Sequence, residues 1–328
     1  MENDTSLYTV NHFPSWLHAS CYFVIGTLAI CGNAINILVI PRLTAFPESA
    51  KVLVTVLSMC DFLVGITLVV TAPSAWVDRW ILGDGLCNLF AISMFFSAGG
   101  GGSVLLLLNA DRFYAISKPF VHVRLVTKTK VSIVCGVALS AWFLSAFLYG
   151  SDESFLDNTC YSWIYRKCFM KLIELEGFYA ILLSFVLYSQ CFAIVLIYIK
   201  IWQISGKHSK RIANHSLSMA GNSTTAATTD YHVTEVGTGI KVKISGSDSK
   251  AIRTTLLVTG AYLGSWIPYS TSIVLELFGI EIPPEFHAFC SLAVVCNSWW
   301  NTVVYSICNR NFRDKAKRLF NGCFDRKS

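Results

Sequence analysis

Residues 85–113 read GLCNLFAISMFFSAGGGGSVLLLLNADRF. The run from Gly85 to Ala110 carries no charge, and it is longer than the roughly 20 residues that a helix needs to cross the hydrocarbon core of a membrane. It ends at the charged pair Asp111-Arg112. Because an acid and an arginine are costly to place at the mouth of a membrane span, we expect this pair to have a functional task.

Similar apolar runs recur along the whole chain. Hydrophobic residues make up 54% of the 328 residues and charged residues only 14%, which is the composition of a membrane protein. Backbone groups in lipid must be hydrogen-bonded within their own segment, so each run is predicted to be a helix. The predicted fold class is an all-α membrane protein, a seven-transmembrane helix bundle with a short amphipathic eighth helix. The predicted spans are 17–41, 50–76, 86–112, 129–150, 174–202, 251–278 and 286–308.

The positions of Lys and Arg predict the orientation of the chain. Of the 26 such residues, 4 lie in the first, third, fifth and seventh regions between spans, and 22 lie in the alternate set. Since positive charge collects on the cytosolic side, we expect a plasma-membrane protein with an extracellular N-terminus. The net charge of +6 is thus explained by topology and does not indicate a nucleic-acid partner. No Lys or Arg precedes the first run and no small-residue cleavage site follows it, so we predict a span and not a signal peptide.

Three segments lie outside the bundle of residues 17–308 or interrupt it. The extracellular segment 1–16 contains a glycosylation sequon at Asn3. The loop at about 204–249 is rich in Ser, Thr and Gly and is predicted to be flexible. The segment 309–328 is a cytosolic tail that begins with an amphipathic helix, which we expect to lie on the inner membrane surface and contact lipid.

Most of the 12 cysteines fall inside spans, where cysteine is a small packing residue. Cys87, Cys160 and Cys168 lie on the predicted outer side, which is oxidising, so Cys87 is expected to form a disulfide with one of the other two. Spacing alone does not choose between them, and the shorter link from Cys168 to the fifth span favours Cys168. Cys323, in the tail, is either a palmitoylation site or a plain thiol.

Polar residues inside five of the spans are candidates for function, with a structural hydrogen bond as the competing interpretation. Their order resembles the rhodopsin-like family of G-protein-coupled receptors. The residues that carry the resemblance are Gly32-Asn33, Leu57 to Asp61, Cys87, Asp111-Arg112-Phe113, Trp142, Tyr198, Ser265 to Pro268 and Asn301 to Tyr305. Within that family, the loop from Asp111 to Phe120 and the stretch from Asp248 to Thr254 are most similar to adrenergic and trace-amine receptors.

The resemblance implies a switch that activates a heterotrimeric G protein, with a receptor kinase and arrestin as further partners. Arg112 would be held by Asp111 and, in the resting state, by Asp248 at the foot of the sixth helix. Outward movement of that helix, kinked at Pro268, would open a cleft for the G protein. The residues implied in the switch are Asp111, Arg112, Phe113, Tyr198, Asp248 and Tyr305.

The resemblance also implies an internal sodium site. It consists of Asp61, Asn297, Ser298 and Asn301, and an oxygen-lined pocket of this kind suits a hard cation. Gly101 stands where the family usually offers a serine oxygen, so we expect a weak or empty site. No other metal and no cofactor is expected.

The ligand pocket departs from the amine receptors. They place a carboxylate eighteen residues before the arginine, where this chain has Met94, so a protonated amine would be desolvated without a counter-ion. A mostly apolar pocket with a few hydroxyls is expected, and it would take a small extracellular molecule. Glu174, Glu176 and Glu276 lie higher up and are either an attraction for cations or merely solvated. The residues implied in the pocket are Met94, Phe95, Leu182, Val186, Trp266, Tyr269, Ser270, Ile273 and Ser291.

The core between the two sites is also unusual for the family. Gln190 stands at the usual proline of the fifth span, Tyr262 at the usual phenylalanine of the sixth, and Thr302 at the usual proline of the seventh. The run from Gly99 to Gly102 allows helices to approach closely but lowers helix propensity.

Other functions fit the sequence less well. An enzyme would need a nucleophile and base or a metal motif, and the seven histidines lie away from the middle of the spans, so no enzymatic activity is expected. A transporter would be expected to show repeated halves, which are not visible. A retinal receptor needs a lysine in the seventh span, where there is none. A receptor-like membrane protein that does not signal is the other alternative, and the intact Arg112, Asp248 and Tyr305 argue against it.

Overall fold

The computed structural model describes residues 14–44, 46–150, 159–162, 164, 166–170, 184–201, 203–204 and 246–324. Its helices are α1 (Ser15–Val39), α2 (Glu48–Trp76), α3 (Asp84–Ser117), α4 (Pro119–Leu125), α5 (Lys128–Gly150), α6 (Ser184–Ile201), α7 (Gly246–Leu277), α8 (Pro284–Cys308) and α9 (Arg310–Phe324). A 3-10 turn, Ile40–Arg42, follows α1. Two short strands, β1 (Thr159–Ser162) and β2 (Lys167–Met170), form an antiparallel hairpin.

The lengths and the apolar composition of the helices indicate a membrane protein. Five described helices are long and apolar enough to cross a membrane, namely α1 with its 3-10 turn, α2, α3, α5 and α6. Helices α7 and α8 have 32 and 25 residues and are also long enough, but polar residues interrupt their apolar runs. Large apolar side chains cover the outside of the bundle, for example Val137 at 67% exposure and Phe192 at 66%. Such a surface suits contact with lipid, and the prediction of an all-α membrane protein is confirmed.

Helix α3 continues past the predicted end of its span. It runs to Ser117, so Asp111 and Arg112 lie inside the helix and not at its last turn. The helix ends at Lys118, whose φ of −143° is extended, because the proline that follows disfavours the helical conformation in the residue before it. The charged pair is therefore fixed on a rigid element.

The last residues of the segment predicted to be a flexible loop, about 204–249, belong to helix α7. Helix α7 begins at Gly246, because adding one more turn to an existing helix needs no new nucleus. Residues 205–245 lie outside the described part of the chain. The same holds for 171–183, which include the first ten residues of the predicted fifth span and Glu174 and Glu176.

The end of the bundle that carries Arg112, α4 and α9 is called the Arg112 end below. There α9 docks under α8 through Phe312, which is 2% exposed and whose ring centroid lies 6.4 Å from that of Tyr305. Arg313 Nη1 donates to the backbone oxygens of Ser306 at 2.9 Å and Ile307 at 2.7 Å. These carbonyls lack partners within their own helix, so α9 caps α8.

The opposite end, which carries Cys87 and the β1-β2 hairpin, is called the disulfide end. Cys87 in the first turn of α3 is bonded to Cys168 on β2. Arg166 beside β2 and Asp78 after α2 both have positive φ, 46° and 55°, which is unusual for residues other than glycine. They are joined by an ion pair with Arg166 Nε 3.0 Å from Asp78 Oδ1. The pair and the disulfide together hold the hairpin on the bundle.

Candidate functional site

Asp111 is the centre of a buried cluster at the Arg112 end. Its Oδ2 lies 2.7 Å from Arg112 Nη2 and its Oδ1 lies 2.8 Å from His122 Nε2. The carboxylate side chain is 3% exposed and that of Arg112 is 12% exposed. Both carboxylate oxygens are thus engaged, one within α3 and one by α4. The aspartate holds the guanidinium in one orientation and attaches the short helix to the bundle.

A cavity of about 540 Å³ opens beside this cluster. Arg112, Thr255 and Tyr305 line its walls, with Arg310 and Arg313 of α9 near its rim. Arg112 Nε is buried and has no hydrogen-bond partner among the described side chains, so the guanidinium keeps a donor that those side chains do not use. An arginine fork aimed into a cavity can bind carboxylate or backbone oxygens of a partner segment.

The other residues predicted for the switch lie around the same end. Tyr198 Oη donates to Thr259 Oγ1 at 3.3 Å, and Thr259 Oγ1 donates to Asn109 Oδ1 at 3.2 Å. This chain of bonds ties α6, α7 and α3 together. Phe113 instead packs its ring edge-on against Tyr114 and takes no part in the polar cluster. Asp248 lies in the first turn of α7, but its side chain is outside the described ones, so its pairing with Arg112 stays a prediction.

Four residues predicted for a sodium site share one cavity of about 70 Å³ in the middle of the bundle. They are Asp61, Asn297, Ser298 and Asn301, and Gly101 also lines the wall. Asn301 Nδ2 donates to Asp61 Oδ2 at 2.7 Å, and Asn297 Nδ2 donates to Ser265 Oγ on α7.

The charge of Asp61 decides what this cavity can hold. Within the described part of the chain, the only hydrogen bond that we find to its carboxylate comes from the neutral amide of Asn301. A buried carboxylate with a neutral partner needs a proton or a small cation to balance it. The carboxylate, amide and hydroxyl groups present fit a hard cation, although Gly101 contributes no oxygen.

The residues predicted for the ligand pocket do not all line the same cavity. Met94 and Trp266 line the upper part of the 70 Å³ cavity, and Tyr269 packs edge-on against Trp266 at 6.0 Å between ring centroids. Phe95 faces α5 instead, where its ring lies 5.5 Å from that of Trp142. Ser270 is buried, Val186 and Ile273 are half-buried, and Leu182 lies outside the described residues.

Ser291 brings the hairpin into the pocket region. Its Oγ accepts a hydrogen bond from Lys167 Nζ at 3.0 Å, so β2 places a lysine between the ends of the helices. Burial lowers the pKa of Lys167 to about 8. Glu276, one of the acids predicted near the entrance, lies 2.6 Å from His287 Nε2, so it is paired and not merely solvated.

Sequence reasoning missed His122 and Lys167. His122 lies on the short helix α4, and no local sequence pattern predicts that α4 packs against α3. Lys167 is adjacent to Cys168, and a disulfide at that position carries its neighbour towards the bundle. The disulfide itself is Cys87–Cys168, as the loop length favours, and Cys160 lies on β1.

Comparison with known proteins agrees with this arrangement. A family model described as "7 transmembrane receptor (rhodopsin family)" matches residues 32–305. Trace amine-associated receptor 8c of Mus musculus is 23% identical over 92% of this chain and 86% of its own length, and that of Rattus norvegicus is 24% identical over 93% and 87%. Trace amine-associated receptor 6 of Homo sapiens is 24% identical over 92% and 85%. The chain belongs to the rhodopsin family of seven-transmembrane, G-protein-coupled receptors.

Proposed function

We propose that this receptor lies in the plasma membrane with its N-terminus outside. A small molecule bound at the disulfide end would then activate a heterotrimeric G protein at the Arg112 end. The distribution of Lys and Arg supports this orientation, because 22 of the 26 such residues fall in the segments on the Arg112 side of the spans.

The observation that carries the proposal is the clamped arginine beside the 540 Å³ cavity. Arg112 is held by Asp111, which is held in turn by His122 of α4. The cavity that Arg112 lines is large enough to admit side chains of an inserted helix. Release of the guanidinium from Asp111 would turn its donors towards that partner.

Helix α7 is the element that we expect to move. It contains Pro268, whose missing N–H weakens the helix ladder and favours a bend there. The hydrogen bond that Thr259 accepts from Tyr198 and the one that it donates to Asn109 would break when α7 moves outward. A pairing of Asp248 with Arg112 would add a further restraint on the resting state. A few bonds of this strength suit a two-state switch.

The ligand is proposed to be a small molecule that does not depend on an ammonium–carboxylate pair in α3. Met94 offers no charge, and Lys167 Nζ donates a hydrogen bond to Ser291, one of the residues predicted for the pocket. The relatives are trace amine-associated receptors by name. In this chain an amine would meet Met94 where a counter-ion is needed, which is unfavourable.

Further sites are proposed from the chemistry of single residues. Asp61 is proposed to bind a sodium ion or a proton in the resting receptor, since its buried charge needs a balance. Asn3 is proposed to be glycosylated and Cys323 to be palmitoylated, which would hold α9 at the membrane surface. A receptor kinase and arrestin are proposed as partners of the same Arg112 end.

The proposed function is tested by second-messenger assays of Arg112→Ala in cells, against a ligand library and without ligand. We expect ligand-dependent signalling to fall at least about tenfold, since one charge-assisted contact contributes on the order of 1.5–3 kcal/mol. Arg310→Ala is the matched control: this arginine lines the same cavity, but its side chain is 86% exposed. Signalling that survives loss of Arg112 at equal surface expression would refute the proposal and favour a protein that binds without signalling.

A further inference from the structure

A polar cluster joins three helices in the middle of the bundle, below Trp266. Ser103 on α3 accepts two hydrogen bonds, from Gln190 Nε2 on α6 at 3.0 Å and from Trp142 Nε1 on α5 at 2.9 Å. Tyr262 on α7 lies beside them. Gln190 stands at the usual proline of the fifth span and Tyr262 at the usual phenylalanine of the sixth, so these two of the three departures introduce hydrogen-bonding groups at one place.

Two oxygen atoms in this cluster are buried and have no hydrogen-bond partner among the residues that the structure describes. They are Tyr262 Oη and Gln190 Oε1, and both side chains are only 7% exposed. An unsatisfied buried polar atom loses its hydration and gains nothing in return. Folded proteins rarely tolerate such atoms unless a water or ion supplies the missing bonds.

Both oxygens approach α3 closely at Gly102. A Cβ atom at this position would lie 2.5 Å from Tyr262 Oη and 2.9 Å from Gln190 Oε1. The two oxygens are therefore at most 5.4 Å apart, the sum of these distances. Two oxygens at such a separation can be joined by one water that bonds to both.

The surrounding cavity has room for such a molecule. Gly102 and Tyr262 line the cavity of about 70 Å³ that also contains Asp61 and Asn301, whereas one water needs roughly 10–15 Å³ of such volume and two to four polar partners. We propose that Gly102, Gln190 and Tyr262 form an internal water site. The water accepts the hydroxyl hydrogen of Tyr262 and donates to Gln190 Oε1.

This water links the helix that we expect to move to one that packs beside it. It ties α7 to α6 through hydrogen bonds, in place of the apolar contact that proline and phenylalanine would make. Gly102 is required because any side chain there would collide with both oxygens. The site shares its cavity with Met94 and Trp266 but not with Arg112, and it is tested by measurements that need neither ligand nor signalling.

The first test is the thermal stability of Tyr262→Phe in detergent. If a water satisfies the hydroxyl, removing it lowers the apparent melting temperature. Tyr188→Phe is the matched control, because Tyr188 Oη bonds Thr271 Oγ1 at 2.8 Å between the same two helices. We expect both variants to melt at lower temperature than the wild type. An unsatisfied hydroxyl predicts the opposite sign, so a rise for Tyr262→Phe would overturn the proposal.

The second test detects the water directly by radiolytic labelling of the whole receptor in ¹⁸O water, read by mass spectrometry. Tyr262 should acquire ¹⁸O label despite its burial, since the reactive radical forms from a water already in contact with the ring. The label should fall in Gly102→Ala, which fills the space, and in Gln190→Met, which removes the second partner. Two variants are used because Gly102→Ala strains the core. Absence of label on wild-type Tyr262, or equal label in Gln190→Met, would refute the water site.

Discussion

The two ends of the bundle are held together in different ways. At the Arg112 end, Asp111 binds its neighbour and His122, eleven residues further along the chain. At the disulfide end, Cys87 and Cys168 are 81 residues apart and Lys167 and Ser291 are 124 apart. One helix and the loop after it are enough to build the first cluster. The second exists only once the hairpin has folded onto a complete bundle.

This difference separates signalling from ligand recognition. A locally built cluster keeps its geometry when the rest of the chain changes, which suits the end that we propose docks a G protein. Contacts made by a loop depend on the loop sequence, and loops accept substitution more readily than the elements that they join. We therefore expect changes at the Arg112 end to alter signalling, and changes at the disulfide end to alter stability and ligand binding.

The largest effect is expected for Asp111→Asn. The asparagine side chain carries no charge, so the ion pair with Arg112 is lost. Breaking a buried ion pair costs about 3–5 kcal/mol, and a released Arg112 should raise ligand-independent signalling. Second-messenger output per receptor at the cell surface and the melting temperature in detergent measure the two effects.

Asp314→Asn is the matched control for this change. Asp314 lies 3.6 Å from Arg310 and both side chains are largely exposed, at 52% and 86%. A surface pair of this kind contributes between 0 and about 1 kcal/mol. If Asp111→Asn were indistinguishable from Asp314→Asn, the Arg112 end would not be a clamped switch, and the contrast between the two ends would disappear.

A somewhat smaller effect is expected for Cys168→Ser at the other end. Loss of the disulfide should destabilise the receptor by about 2–4 kcal/mol, because the chain between the two cysteines gains freedom in the unfolded state. Signalling per folded receptor without ligand should stay at the wild-type level, since no contact of Arg112 is touched. Cys160→Ser is the control and should leave the melting temperature unchanged. Increased basal signalling of Cys168→Ser would show that the two ends are coupled.

The bundle was predictable because lipid leaves the backbone few alternatives. The lengths of the apolar runs predicted the helices. The resemblance predicted that Asp61 and Asn301 lie together, although they are 240 residues apart. A 2.7 Å hydrogen bond joins these two residues, and the sodium ion itself stays a prediction. Helix ends were less predictable, because a helix can continue beyond the hydrocarbon core of the membrane. The start of α7 at Gly246, before the predicted start of the sixth span, is an example.

The polar contacts between helices could not be read from the sequence. Ser103 gave no signal, yet it accepts bonds from both Trp142 and Gln190. The run of glycines indicated that another helix approaches α3 closely, but it did not identify the side chains that make the contact. In the structure, a side chain at Gly99 would overlap the indole ring of Trp142, and one at Gly102 would collide with the oxygen of Tyr262. These contacts between helices depend on the rotation of each helix about its axis. The length of an apolar run does not determine that rotation.

The smallest effect is expected for the pH dependence of the disulfide end. Burial lowers the pKa of Lys167 from 10.5 to about 8. Between these values the unfolded chain still holds the proton that the folded receptor has released, so the free energy of unfolding rises with pH in this window. Below pH 8 the cost of burying the ammonium is fully present. The rise should be on the order of 1 kcal/mol, since the side chain is partly exposed and solvent screens the charge.

Melting temperatures in detergent from pH 7 to pH 10 test this, compared between the wild type and Lys167→Gln. The difference between the two curves should change through the window, because the variant lacks the titrating group, whereas the same substitution at exposed Lys128 should leave the wild-type curve unchanged. Parallel curves for the wild type and Lys167→Gln would mean that the ammonium is in water and not beside Ser291. The hairpin would then not enter the bundle, and the disulfide end would be as locally built as the Arg112 end.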